Sequence, residues 1–169
     1  MPAISESRVI AAAPEDVWKT LSDLENARRW NKAWTRIEIL STQHHGLGTA
    51  FRAHTESGDS FDFEITEWVP PNTIAFSPVR ADEESYGIVL DSHTFQLTSV
   101  GDGDTSVKLT ARATAHGFRG HLAARFLWPG YQKYGLRLAL DAVQDVFEPL
   151  ERDEAERVEE AEADSPASE

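Results

Sequence analysis

Asp91 and His93 stand two residues apart in a stretch, Tyr86 to Val100, that reads as one long strand. With no bulge between them, strand alternation puts both side chains on one face. A carboxylate beside an imidazole raises its pKa and fixes its tautomer, which is a start for general acid–base work such as an aldol cyclisation or a dehydration. The plainer reading is a strand-end pair at a cavity mouth. Tyr86, Tyr131 and Tyr134 pair aromatic surface with a phenolic donor suited to a ligand carbonyl; ordinary core or rim tyrosines look the same in sequence. Arg52 and His54 share a strand face and could hold an anionic group, although such pairs more often belong to a solvated outer face.

Other chemistries lack their residues. The chain has no cysteine, which excludes disulfides, thiolate nucleophiles and cysteine-ligated metals. His44 and His45 are adjacent and would point apart, while His116 and His121 flank a turn without acidic ligands at fixed spacing. No HExxH motif is present, so no metal and no other cofactor is expected. Serine hydrolase chemistry has no G-x-S-x-G to rest on. Gly46-Leu47-Gly48 is too short for a phosphate loop and precedes a strand where a helix is needed.

The elements that must position these residues follow from periodicity. Ala3 to Ile10 reads as a strand; Pro14, Glu15 and Asp16 then open a short helix running to about Ser22. Asp23 caps a second short helix through Ala27 and Trp30. From Thr35 the period changes to two, with strands over Thr35–Ile39, Thr49–Thr55, Phe61–Ile65, Thr73–Ser77, Tyr86–Val100 and Thr105–Ala115. After Gly117 a helical stripe of Leu127, Tyr131, Tyr134, Leu138, Ala142, Val146 and Leu150 is expected to bury one face, with a kink or fresh start at Pro129-Gly130. The order is α+β.

A sheet curling over that long helix would turn its apolar face inward. The final hairpin then presents Val89, Asp91, His93, Phe95 and Leu97 from one strand and Val107, Leu109, Ala111 and Ala113 from its partner. Phe61, Phe63 and Ile65 add apolar wall. From the helix, Tyr131, Tyr134 and Leu138 point back, with Gly135 removing bulk between them. Mostly apolar walls with few polar groups are what a small-molecule pocket requires.

Charge divides the chain. Of 169 residues, 29 are Asp or Glu and 16 are Lys or Arg, a formal −13. Residues 151–169 hold nine acids and two arginines, or −7, and almost no apolar material, so an acidic, disordered tail is expected there. The body, residues 1–150, is one domain of about −6. This balance opposes binding to a phosphate backbone, which needs a basic face. Neither a membrane-spanning apolar run nor a signal peptide is legible, which points to a soluble, cytoplasmic protein.

Four landmarks carry a resemblance. Arg8-Val9-Ile10-Ala11-Ala12-Ala13-Pro14-Glu15-Asp16-Val17-Trp18 resembles a strand running into an Ala-Pro-x-x-Val-Trp helix start. Leu21-Ser22-Asp23-Leu24-Glu25-Asn26 with Trp30-Asn31, then Glu67-Trp68-Val69-Pro70-Pro71-Asn72, and the hairpin from Phe95-Gln96-Leu97 to Gly103-Asp104-Thr105-Ser106-Val107 follow the same pattern. Together they resemble the START-like, or SRPBCC, superfamily and its polyketide cyclase/dehydrase and lipid-transport subgroup. The resemblance implies a helix-grip fold: a curved antiparallel sheet of about seven strands around a long C-terminal helix, with two short helices after the first strand. It also implies a cavity for a hydrophobic ligand such as a lipid, polyketide or isoprenoid. The superfamily includes carriers, cyclases and chaperone-activating proteins, so three readings stand: a binder, a cyclase/dehydratase-like enzyme, and an interaction module for a protein partner through the acidic tail. The apolar inner face and the lack of a triad or metal site favour the binder.

Overall fold

Pro14 supplies the first turn of a helix whose second and third residues, Glu15 and Asp16, meet the positive end of its dipole. That helix, α1 (Pro14–Ser22), buries Val17, Trp18 and Leu21. The Asp23 carboxylate accepts hydrogen bonds from the Asn26 backbone and side chain at 3.3 and 2.8 Å, starting the short 3-10 helix Leu24–Arg29. The computed structural model describes residues 2–79, 87–101 and 103–148; Tyr86, Leu150 and the acidic tail lie outside them.

The strands are β1 (Ala3–Ile10), β2 (Trp34–Ile39), β3 (Ala50–Thr55), β4 (Ser60–Val69), β5 (Thr73–Pro78), β6 (Ile88–Ser99) and β7 (Thr105–Ala115). They form one antiparallel sheet in the order β1-β7-β6-β5-β4-β3-β2. Six strands are sequential neighbours; β1 closes the far edge by pairing with β7, Ala3 opposite Arg112 and Ile10 opposite Thr105. Register shifts at Trp34/Arg36, Ile65/Glu67 and Leu90/Ser92 mark bulges, which bend and twist the strands into a curved sheet. The concave side carries a cluster of rings: Trp30 meets Phe95 at 5.6 Å, Trp34 meets Phe51 at 5.8 Å, and Phe63 meets Phe76 at 5.5 Å, all edge-on. Edge-on pairs of this kind add about 0.5–1.5 kcal/mol each beyond area burial.

Two helices close the chain, α2 (Gly117–Phe126) and α3 (Trp128–Phe147). The break falls at Leu127 rather than at Pro129-Gly130. Proline lacks an N–H and is suited to a helix's first turn, so Pro129 opens α3 and the previous helix has to end before it.

The face that α3 buries differs from the expected one. Trp128, Leu136, Leu140, Ala142 and Val143 are buried, whereas Leu127, Tyr131, Tyr134 and Leu138 are exposed, and so is Gly135. The helix carries two apolar stripes, and the contacts with β1 select between them. Arg8 pairs with Asp141, and Arg137 lies 3.4 Å from Glu6, so the 137–141 side of α3 lies along β1. Leu136, Leu140 and Val143 then turn into the core. Tyr131, Tyr134 and Leu138 turn to solvent.

Candidate functional site

Strand β6 does not alternate through its whole length. Leu90 faces Ala113 and Ser92 faces Arg112, so Asp91 is the extra residue of a bulge. Below the bulge, His93, Phe95 and Leu97 lie opposite Ala111, Leu109 and Val107 on the inner face, as alternation requires. Above it the phase is reversed: Ile88 and Leu90 pack inward, not Val89 and Asp91. Thr114, next to buried Ala113, belongs to the outer face and donates a 2.9 Å hydrogen bond to Asp91. That bond draws the carboxylate outward, and no ion pair joins Asp91 to His93 among the described residues. The couple read from the two-residue spacing is therefore separated by a bulge.

His93 is left alone with aromatic neighbours. Its ring lies 5.5 Å from Phe76, and its Nδ1 is sealed from solvent with no hydrogen-bond partner. Burial penalises the charged form and pushes the imidazole down to about 4. Trp30 Nε1, whose ring packs edge-on against Phe95, is also buried without a partner. Orphan polar atoms on an apolar face are uncommon in native proteins and call for a ligand or an ordered water.

The remaining sequence-derived wall residues divide into two groups. Phe63, Ile65, Phe95, Leu97, Leu109, Ala111 and Ala113 are buried in the concave core. Phe61 shares their face but sits at the strand end and is partly exposed. Arg52 and His54 point the other way, since Phe51 and Ala53 are the buried residues of β3. Arg52 forks onto Asp62 directly across the strand pair at 2.6 and 2.9 Å, and this partner raises its pKa. His54 lies 3.6 Å from Glu38. Arg52 is thus engaged on the outer face and is not placed for an anionic ligand inside. Among the described residues no group of three or more His, Cys, Asp or Glu is placed to hold a metal.

Sequence reasoning missed the recess beneath α2. It has a volume of about 920 Å³, an almost wholly apolar wall and an open side. Gly87, His116, Gly117, Phe118, Arg119, Leu122, Ala123, Phe126 and Leu127 line it. Gly87, on its wall, packs closely against Gly120 of α2. The Gly87 carbonyl accepts the His116 N–H at 2.7 Å, and a Cβ on Gly120 would come within 2.3 Å of that same carbonyl oxygen. Gly87 also adopts φ +78°, a conformation that favours glycine. The available signal was Gly117 and Gly120 bracketing Phe118 ahead of the proline, a separate short helix rather than the start of a long one.

The curved seven-stranded sheet with its long C-terminal helix defines a START-like α+β domain. A family model described as polyketide cyclase/dehydrase and lipid transport matches residues 1–148, and the chain belongs to that family. A solution structure from Thermobifida fusca is similar with a TM-score of 0.70 at 17% identity, over 89% of this chain and 96% of that one. A START superfamily protein from Mycobacterium smegmatis gives 0.68 at 17% identity, over 89% and 99%. The Aha1 dimer from Colwellia psychrerythraea gives 0.63 at 19% identity, over 88% and 98%. These likenesses concern the fold. No curated protein sequence matches the chain. No helix among the described residues is long and apolar enough to cross a membrane.

Proposed function

We propose that the domain binds and carries a hydrophobic small molecule of the lipid, polyketide or isoprenoid type. The observation that carries this reading is the apolar recess of about 920 Å³ beneath α2, which is within the range of about 300–1,000 Å³ usual for ligand pockets. The family's lipid-transport description agrees with it. Neither His93 nor Trp30 is among the residues that line the recess, so their orphaned nitrogens do not define the ligand's polar end.

A cyclase/dehydratase role would have to rest on His93 without Asp91. With a pKa of about 4, about one imidazole in a thousand is protonated at pH 7, so the ring is a neutral hydrogen-bonding group there. General acid–base efficiency peaks when the pKa lies near the working pH, which favours the binder.

The test is mass spectrometry of an organic extract of the purified full chain, with a titration by the fluorescent polyene cis-parinaric acid. A copurifying apolar molecule and saturable one-to-one binding, weakened about tenfold or more by Ala123→Phe or Leu127→Trp, are expected. No extracted ligand together with non-saturable binding would remove the reading. Circular dichroism of both variants separates a filled recess from a lost fold.

A further inference from the structure

The outer surface of α2 and the start of α3 has a composition unlike the rest of the molecule. From Thr105 to Leu140 there is no Asp or Glu, while Lys108, Arg112, Arg119, Arg125, Lys133 and Arg137 all fall there. In a chain of net −13 this is a local run of +6. Arg119, Arg125 and Lys133 are exposed and enter no ion pair among the described residues.

Between these cations lies exposed apolar surface. Phe118, Leu122 and Phe126, which also line the recess, repeat every four residues along α2, with Phe118 84% exposed. Tyr131, Tyr134 and Leu138 form a second exposed stripe on α3, the two tyrosines 79% and 67% exposed. Water-facing Phe, Leu and Tyr interleaved with Lys and Arg, with no acid in the sequence between residues 105 and 140, are the residue types that membrane-interfacial elements carry.

We propose that this face docks the domain on an anionic membrane surface. Charge complementarity selects that occupant. Two copies meeting through the same face would oppose cation to cation. The acidic stretch 151–169 complements the cations but offers Val158 and alanines against a ridge of Phe, Tyr and Leu. An anionic bilayer satisfies both halves, taking rings among its acyl chains and cations at its phosphates. The contact would also bring the recess close to the lipid, since Phe118, Leu122 and Phe126 belong both to the ridge and to the recess wall.

Co-sedimentation of the full chain with vesicles of phosphatidylglycerol and phosphatidylcholine in equal parts tests the proposal, with pure phosphatidylcholine as control. The chain should pellet with the anionic vesicles, bind the neutral ones at least about tenfold more weakly, and be released by about 0.5 M salt. Arg125→Glu/Lys133→Glu and Tyr131→Ser/Tyr134→Ser should each lower partitioning by about tenfold or more, with unchanged circular dichroism and unchanged parinaric acid binding. None of those four residues lines the recess, so failure here leaves the carrier reading standing and failure there leaves this one. Equal pelleting of wild type and both variants, or no pelleting, overturns the proposal. So does a wild-type dimer in analytical ultracentrifugation that the tyrosine variant abolishes without any vesicle binding, which would assign the face to a second copy.

Discussion

The concave core and the outer ridge of α2 and α3 are both built from aromatic and aliphatic side chains, yet one is sealed and the other meets water. Trp30, Phe51 and Phe95 are at most 2% exposed, while Phe118 and Tyr131 stand almost free. Hydrophobicity by itself does not distinguish them. What does is the surrounding structure: the core rings face one another across a curved sheet, and α3 is clamped by Arg8–Asp141 and Glu6–Arg137 with its other stripe inward. An apolar stripe on a helix therefore states that a partner exists without naming it.

The largest effect that sharpens this contrast is Phe95→Ala. A ring removed from the sealed cluster should cost about 3–5 kcal/mol in urea denaturation, against less than about 0.5 kcal/mol for Tyr131→Ala on the ridge. Comparable losses would mean the ridge is covered by protein. Next comes pH. The unfolded His93 titrates near 6.5 and the folded one near 4, so the unfolded chain binds the extra proton between those values. Stability is thus fully present above pH 6.5 and lost as pH falls toward 4, by about 3 kcal/mol. His93→Leu should flatten that slope, and an unchanged acid limb would show that the imidazole is not desolvated. Gly120→Ala should follow at about 1–3 kcal/mol, with loss of parinaric acid binding, because its Cβ collides with the Gly87 carbonyl. The smallest is Asp91→Ala, which removes the outward bond from Thr114 and should cost about 1 kcal/mol while leaving ligand binding unchanged.

The strand and helix order was legible because turn residues punctuate it. Pro14, Asp23, Gly58 and Gly101 mark ends that local backbone chemistry alone requires, and α1 begins at Pro14 and stops before Asp23 as they predict. Two features were not legible. The bulge at Asp91 lies in Leu90-Asp91-Ser92, which contains no glycine or proline to announce it, and one extra residue reverses every side chain above it. The buried face of α3 depends on β1, more than a hundred residues away in sequence, and no local pattern chooses between its two stripes. The recess was missed for a related reason. Its wall at Gly87 is set by the close approach of Gly87 to Gly120, a contact between separate elements.

The proposed carrier function places the ligand in the recess beside α2. Titration of the nitrogen-15-labelled full chain with cis-parinaric acid, followed by amide chemical shifts, tests it most directly. Saturating shifts concentrated at Gly87, Gly117, Leu122, Ala123 and Leu127 are the result expected. Shifts confined to the outer face of β2, β3 and β4, or none at saturating probe, would contradict it.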